Sequence, residues 1–253
     1  MITPKKLFQL IDPIAPVATA MPGDPCGLII DTSEPADKIL VALDFTADVA
    51  EEACAIGAKI VVTHHPIIYH PLKNITRDDP AAMALAGGIS VISLHTCWDR
   101  ADGGINDLLA ELFELQNIRP FGEFGRVGEL KCETDVRSFA GFALKALGVA
   151  GAPLIDCGRA VKTVAVVGGA GGSEIKYLSD AGADIFVVGE LAHHEMLFAR
   201  QIGVSVLMPG HFETEAIAGR RLAEKIRACI GELAEVHLSR TEAAPDSYFT
   251  ERR

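Results

Sequence analysis

Two adjacent histidines, His64 and His65, follow the apolar run "KIVVT" and stand just before Pro66. Proline forces the residue before it into an extended conformation, and neighbouring side chains of an extended chain point apart. Imidazole is a common ligand of transition metals, so two diverging rings suit two neighbouring metal ions better than one. For this pair alone, the alternative is one histidine packed in the core and one in solvent.

Two further apolar runs end in the same residue types. His95 and Asp99 follow "ISVISL", and the carboxylate adds a hard oxygen ligand to the imidazoles. His211 and Glu215 follow "GVSVLMPG" and are four residues apart, which places both on one face of a helix that starts there. Taken alone, this last pair could equally be a helix-capping arrangement.

The three runs together predict a two-metal site. A structural zinc ion takes four ligands, and a catalytic zinc ion takes three from the protein. The predicted ligands number five: His64, His65, Asp99, His211 and Glu215. Five exceed the need of one ion, so we predict two ions with Glu215 as the bridging carboxylate, holding a hydroxide that attacks a substrate. Nitrogen and oxygen ligands without thiolate admit zinc, iron, manganese or cobalt.

A fourth cluster, "GELAHHEM", places Glu190 and His194 four residues apart. We predict that this pair transfers protons at the metals, although a helix start with solvated histidines is the competing interpretation. The glycine-rich stretch 166–175 lacks the spacing of a dinucleotide site, because Glu174 occupies the third glycine position. A tight turn whose N–H groups contact a substrate phosphate fits this stretch better.

The elements that must position these residues alternate between strands and helices. Apolar runs predict buried strands at 38–43, 59–65 and 89–95. Helices are predicted at 46–56 and 104–115, and a strand followed by a helix at 126–148. Thr46 can cap the first helix, and Gly57 can end it. This alternation predicts an α/β fold with mainly parallel sheets, in which ligands collect at the carboxyl ends of the strands.

Similar segments recur in the same order in the two halves of the chain. The pairs are 38–46 with 162–172, 57–65 with 182–190, and 88–95 with 203–211. This recurrence predicts two similar lobes, residues 1–124 and 125–253, although the shared pattern of any α/β protein explains it equally well. No low-complexity linker separates the halves, so we expect the lobes to pack together with the metal site between them.

The composition limits the partners and the location. The chain has 253 residues, with 34 acidic and 23 basic side chains and a formal net charge of −11. This excess argues against binding to nucleic acid or to an anionic membrane. No apolar run reaches the roughly 20 residues of a membrane span, and no secretory signal is evident, so we expect a cytoplasmic protein. The six cysteines form no C-x-x-C pair and are expected to be reduced, mostly buried thiols.

Together these motifs resemble those of the NIF-three-like dinuclear metal proteins, some of which carry the label GTP cyclohydrolase I type 2. The matching segments are "DPCGLII" (24–30), "VALDFT" (41–46), "THHPIIYHPLKNI" (63–75), "LHTCWDRADGGINDLLA" (94–110), "GELAHHE" (189–195) and "GHFETE" (210–215). In the family's early W-D-N-x-G-L motif, Gly23 and Pro25 stand here in place of the tryptophan and the asparagine. That departure concerns a loop and its substrate contacts rather than the metal ligands.

The resemblance implies the same five metal ligands, from the motifs T-H-H-P, H-T-x-x-D and G-H-x-x-x-E. It also implies two divalent metal ions per chain, a functional pair at Glu190 and His194, and a ring-shaped homohexamer. The label suggests hydrolytic ring-opening of a guanine nucleotide, a small-molecule substrate, by a metal-bound hydroxide. The alternative function is a metal chaperone or a regulatory adaptor without turnover.

Overall fold

The computed structural model describes residues 1–246, in which two sheets alternate with layers of helices. The strands are β1 (Gly27–Ile30), β2 (Lys38–Ala42), β3 (Ile60–Thr63), β4 (Ser90–Ser93), β5 (Gln116–Phe121), β6 (Gly125–Asp135), β7 (Leu154–Ile155), β8 (Ala160–Ala170), β9 (Ile185–Glu190), β10 (Ser205–Leu207) and β11 (Glu235–Leu238). The helices are α1 (Pro4–Ile11), α2 (Ala47–Ile56), α3 (Pro80–Gly87), α4 (Thr96–Arg100), α5 (Ile105–Leu112), α6 (Val136–Leu147), α7 (Leu178–Ala181), α8 (His193–Gln201), α9 (His211–Glu215) and α10 (Ala218–Ile230). None of the helices in this range is both long and apolar enough to cross a membrane.

The two sheets differ in strand direction. The first has the order β1-β4-β3-β2-β11, in which only β1 runs antiparallel to its neighbour. The second has the order β5-β6-β8-β9-β10-β7, in which β8, β9 and β10 are parallel and the other pairs are antiparallel. The predicted α/β class with two similar packed units is confirmed. The second sheet is mixed rather than mainly parallel, because β5 and β6 form a hairpin that the sequence pattern did not reveal.

The two halves of the chain repeat one arrangement. In each, an antiparallel edge strand, β1 or β7, pairs with the last of three parallel strands, β2 to β4 or β8 to β10. The recurring sequence segments correspond to β2 with β8, β3 with β9 and β4 with β10. Strand β11 then returns to the first sheet beside β2, so the halves interlock. The lobe boundary near residue 124 stays a prediction, and residues 247–253 of the second predicted lobe lie outside the described residues.

Both faces of each sheet are covered by packed side chains. Successive residues of a strand point to opposite faces and therefore belong to different cores. On β2, Ile39 belongs to a core between the sheets, whereas Leu40 packs under the outer helices α2 and α3. On β8, Val164 faces the same middle core, whereas Ala165 packs under α7 and α8. Helices α1, α4, α5, α6 and α10 contribute to the middle core. One shared core therefore fixes the two sheets, and their strand ends, against each other.

The cysteines differ from expectation in one respect. All six are free thiols, as expected, but the expectation that most are buried is wrong. Cys97 is buried, whereas Cys54, Cys132 and Cys229 are exposed on α2, β6 and α10.

Two glycines of α6 isolate the effect of backbone conformation on stability. Gly141 lies on the exposed side of the helix interior, whereas Gly148 ends the helix with a φ of +74°. We predict that Gly141→Ala raises the free energy of unfolding by about 0.5–1 kcal/mol, because alanine loses less backbone entropy on folding. Gly148→Ala should lower it by about 1 kcal/mol, because an L side chain is strained at that φ.

Neither added methyl group meets an atom within 4 Å, so packing does not affect this comparison. Urea unfolding of both variants measures the difference. Shifts of the same sign for the two variants would contradict the structure of this helix end.

Candidate metal centre

Strand ends from both sheets meet in one place. His64 and His65 follow β3 directly, and Asp99 lies on α4 after β4. After β10, the short helix α9 carries His211 and Glu215, which were expected at the start of one long helix. The Nε2 atoms of His65 and His211 lie 3.3 Å apart, although the two residues are 146 positions apart in the chain. The fold therefore brings all five predicted ligands together.

The Glu215 carboxylate lies at the centre and is almost fully buried. Its Oε1 is 3.6 Å from His64 Nε2, which is 4.0 Å from Asp99 Oδ1. Its Oε2 is 3.0 Å from His65 Nε2 and 3.1 Å from His211 Nε2. Each carboxylate oxygen thus faces a different set of ligands, which is the geometry that a bridging carboxylate requires.

The ligand atoms form overlapping groups. Within each group they lie no more than 4.8 Å from one another: His64, Asp99 and Glu215; His65, His211 and Glu215; His64, His65 and His95. The first two groups share only Glu215. Two ions that share one carboxylate fit this division better than a single ion does.

Three buried atoms of the site lack a hydrogen-bond partner among the described residues: His64 Nε2, Asp99 Oδ1 and Glu215 Oε2. The rings that approach Glu215 Oε2 do so without hydrogen-bond geometry. Nearly all buried polar groups in folded proteins are satisfied, so three exceptions in one place need an explanation. Divalent cations satisfy such nitrogen and oxygen atoms, and the residues therefore fit a metal site.

Contacts at Nδ1 orient the rings so that Nε2 faces the centre. His64 Nδ1 lies 3.0 Å from the carbonyl oxygen of Leu94, which can only accept, so Nδ1 carries the proton. The Nε2 of neutral His64 is then free to bind a metal ion. His65 Nδ1 lies 2.8 Å from Asp44 Oδ1, a carboxylate–histidine pair of the kind that supports metal ligands.

Sequence reasoning assigned no role to Asp44 or Asp24, and it placed His95 near the site without a function. His95 Nδ1 lies 2.7 Å from Asp24 Oδ1, which copies the contact between His65 and Asp44. Both aspartates lie in segments that carry the family resemblance, "VALDFT" and "DPCGLII". Their position in these segments indicates that the two aspartates belong to the site, but it does not reveal which histidine each carboxylate contacts.

The predicted proton-transfer residues lie in different surroundings. Glu190 Oε1 is 3.0 Å from His211 Nδ1, so Glu190 orients a predicted ligand. His194 is exposed on α8 and belongs to none of the ligand groups. The structure therefore brings Glu190 to the site, and the catalytic role of both residues stays a prediction.

Burial and charge shift the pKa values of the ligands. Burial raises the pKa of Asp99 to about 6. Burial disfavours the charged form of His65, but Asp44 and Glu215 raise its pKa to about 10. The contact with Glu215 raises the pKa of His211 to about 9. Burial also disfavours charge on Glu215, yet the imidazoles hold its pKa well below the usual range. An ionised carboxylate is thus stabilised by positive charge around it.

A cavity of about 450 Å³ adjoins the ligands. His65, Asp99, His211 and Glu215 line it together with His95, and Met21, Pro66, Tyr69 and Phe124 form its apolar lining. Convergent polar groups in a partly apolar cavity of this size are typical of small-molecule sites.

The glycine-rich stretch ends β8 beside this cavity, which Gly168, Ala170 and Ser173 help to line. Gly169 has a φ of +63°, and a Cβ atom there would overlap with the carboxylate of Glu215. Glycine is therefore needed for the close approach of β8 to the ligands. Contact with a substrate phosphate stays a prediction.

A family model and individual protein sequences both relate this chain to the same family. The family model described as Duf34/NIF3 (NGG1p interacting factor 3) matches residues 2–245. A protein of Clostridium perfringens named GTP cyclohydrolase 1 type 2 homolog is 28% identical, over 96% of this chain and 98% of that protein. Protein NIF3 homolog of Schizosaccharomyces pombe is 32% identical, over 83% of this chain and 84% of that protein.

Solved structures show the same fold. The Bacillus cereus protein related to NIF3 superposes with a TM-score of 0.90 at 22% identity, over 98% of this chain and 99% of that one. Reduced HcgD from Methanocaldococcus jannaschii superposes with a TM-score of 0.81 at 27% identity, over 94% of this chain and 97% of that one.

Proposed function

Because the chain belongs to the Duf34/NIF3 family, we propose that it is a metal-dependent hydrolase with a site for two divalent ions. One observation carries this proposal: three buried atoms that lie in one place, on His64, Asp99 and Glu215, have no hydrogen-bond partner in the described residues. His64 and Asp99 would hold one ion, His65 and His211 the other, and Glu215 both. Zinc, iron, manganese and cobalt all suit this mixture of nitrogen and oxygen ligands.

The residues around the ligands have their own tasks in this proposal. When bound, a pair of divalent ions polarises a substrate and lowers the pKa of the attacking water. Asp44 holds His65, and Glu190 holds His211, through their Nδ1 atoms. Glu190 is exposed and contacts a predicted ligand, whereas His194 belongs to none of the ligand groups, so we assign proton exchange with the substrate to Glu190 ahead of His194.

The proposed reaction is the hydrolytic opening of a guanine nucleotide ring. Support comes from the name of the Clostridium perfringens relative, GTP cyclohydrolase 1 type 2 homolog. The cavity supports it as well, because Tyr69 and Phe124 offer aromatic surface for a flat ring close to the polar ligands.

The competing function is a metal chaperone or a regulatory adaptor. Five protein ligands shared between two ions leave coordination positions open, whereas a structural site is closed. The adjoining cavity gives a small molecule access to such positions, which favours an enzyme. The homohexamer and the cytoplasmic location stay predictions.

Metal content tests the ligand assignment. We expect the purified, metal-loaded protein to retain about two divalent ions per chain, Asp99→Ala about one, and Glu215→Ala almost none, because Glu215 serves both ions. Inductively coupled plasma mass spectrometry, set against protein concentration, measures the ratio. His194→Ala is the matched control and should retain as much metal as the wild type. Unchanged metal in a folded Glu215→Ala protein would refute the site.

Asp44→Asn tests the orientation of a ligand ring. The substitution keeps the size of the side chain but removes the charge that faces His65 Nδ1. Loss of such a partner weakens metal binding by about 10- to 100-fold, and we expect this loss for one of the two ions. Competition with a chelating dye measures both affinities. Asp48→Asn is the control, because it removes the same charge from an exposed position on α2. An equal loss of metal affinity in both variants would contradict the role of Asp44.

Product analysis tests the reaction itself. We expect the metal-loaded protein to convert GTP to formate and a pterin, and Glu215→Ala to form neither product. Formate release and the absorbance of the oxidised pterin provide independent readouts. A wild-type protein that retains its metals but forms no product with zinc, iron, manganese or cobalt would exclude the cyclohydrolase reaction. The site would then favour the chaperone function.

A further inference from the structure

Two thiols face each other beside the metal centre. Cys26 lies just before β1 and Cys97 lies on α4, and the Cys97 thiol donates to Cys26 Sγ over 3.8 Å. Cys97 is fully buried, whereas Cys26 is partly accessible. A disulfide has an S–S distance of about 2.05 Å, so a closure of less than about 2 Å brings the two sulfurs to bonding distance.

The thiol pair shares one carboxylate with the cavity. Cys26 donates to Asp24 Oδ2 over 3.2 Å, and Asp24 Oδ1 lies 2.7 Å from His95 Nδ1. Asp24 also accepts the backbone N–H of Thr96, the first residue of α4, over 3.0 Å. The same helix carries the predicted ligand Asp99. The two sulfurs therefore lie between the segment before β1 and the helix that brings a ligand to the site.

We propose that Cys26 and Cys97 are a modification site, where a hydroperoxide produces a reversible intramolecular disulfide. The Cys26 sulfur attacks one peroxide oxygen; the O–O bond breaks, an S–O bond forms, and the thiol proton leaves with the other oxygen as an alcohol or water. The Cys97 sulfur then attacks the Cys26 sulfur; the S–S bond forms, the S–O bond breaks, and the leaving hydroxyl takes the Cys97 proton as water. Two electrons pass from the thiols to the peroxide.

The surroundings of the other cysteines distinguish this pair. Cys157 donates to the carbonyl oxygen of Val204 over 3.4 Å. The exposed cysteines lie on three separate elements, and no hydrogen bond in residues 1–246 joins any of them to another thiol: Cys54, Cys132 and Cys229. Oxidation of an isolated thiol ends in a sulfenic acid, in higher oxides or in a bond to another molecule. The geometry therefore assigns intramolecular disulfide formation to Cys26 and Cys97.

The disulfide would act on a contact of the cavity. Its formation removes the S–H group that Cys26 donates to Asp24, the carboxylate that holds His95. It also fastens α4 covalently to the segment before β1. Oxidation and the cavity are thus connected through one aspartate, and the reaction of the thiols needs neither a metal ion nor a substrate.

The test follows the thiols directly. The full-length reduced protein, in zinc-loaded and in chelator-treated form, is exposed to one equivalent of hydrogen peroxide, blocked with N-ethylmaleimide and digested without reductant. We expect mass spectrometry to show the Cys26 peptide joined to the Cys97 peptide, and thiol titration to show a loss of two thiols per chain. Dithiothreitol should restore both. The same result in the two forms separates this inference from the proposed hydrolase function.

Three variants make the test specific. Cys26→Ser should abolish the joined peptide and the fast loss of thiols. Cys97→Ser should also abolish the joined peptide, but it should still lose one thiol, because Cys26 is oxidised to a sulfenic acid that finds no second thiol. Cys54→Ser, an exposed cysteine with no thiol partner, should leave the joined peptide unchanged. If the buried Cys97→Ser protein does not fold, Cys26→Ser and the wild-type peptide map still decide. Recovery of both Cys26 and Cys97 as maleimide adducts after peroxide, or joined peptides from other cysteines, would overturn the proposal.

Discussion

The structure depends on an ionised carboxylate, Glu215, that is buried among imidazoles. A second carboxylate, Asp99, shares the same buried space, and two carboxylates removed from water require positive charge nearby. Three histidines, His64, His65 and His211, provide it without satisfying every atom. The first sheet supplies His64 and His65, and the second supplies His211 together with Glu215, so the buried carboxylate meets imidazoles from both sheets.

The interlocking of the chain serves the same site. Strand β11, from the carboxyl-terminal half, completes the first sheet beside β2. The segment after β11 then brings Glu242 to the end of β2, where its carboxylate accepts the backbone N–H groups of Leu43 and Asp44. Asp44 in turn contacts His65. A segment more than 190 residues away in sequence therefore holds the turn whose Asp44 contacts a predicted metal ligand.

The sequence predicted correctly those features that depend only on neighbouring residues. The cap at Thr46, the end of α2 at Gly57 and the strands before His64 and His95 all follow from short-range periodicity and backbone preference. The proximity of His64, His65 and Asp99 was predictable because the carboxyl ends of the neighbouring parallel strands β3 and β4 lie at one edge of their sheet. The approach of His211 and Glu215 from the second sheet does not follow from that rule. The return of β11 and the contact between Asp44 and His65 depend on pairing between distant segments. A period of two or 3.6 residues carries no information about such partners. The hairpin of β5 and β6 is local, but all of β5 except Phe121 is exposed, so its sequence shows no alternation of buried residues.

The repeat of the two halves extends into the chemistry of the site. The corresponding strands β4 and β10 are each followed by a five-residue helix. A histidine stands at the start of each helix, and a carboxylate follows four positions later: Asp99 after His95, and Glu215 after His211. In each copy, a carboxylate from another segment contacts the Nδ1 of that histidine. The copies differ in position, because Glu215 reaches between both ligand groups whereas Asp99 belongs to only one. Two copies of a single motif thus become one asymmetric site, and that asymmetry gives the two proposed metal positions different surroundings.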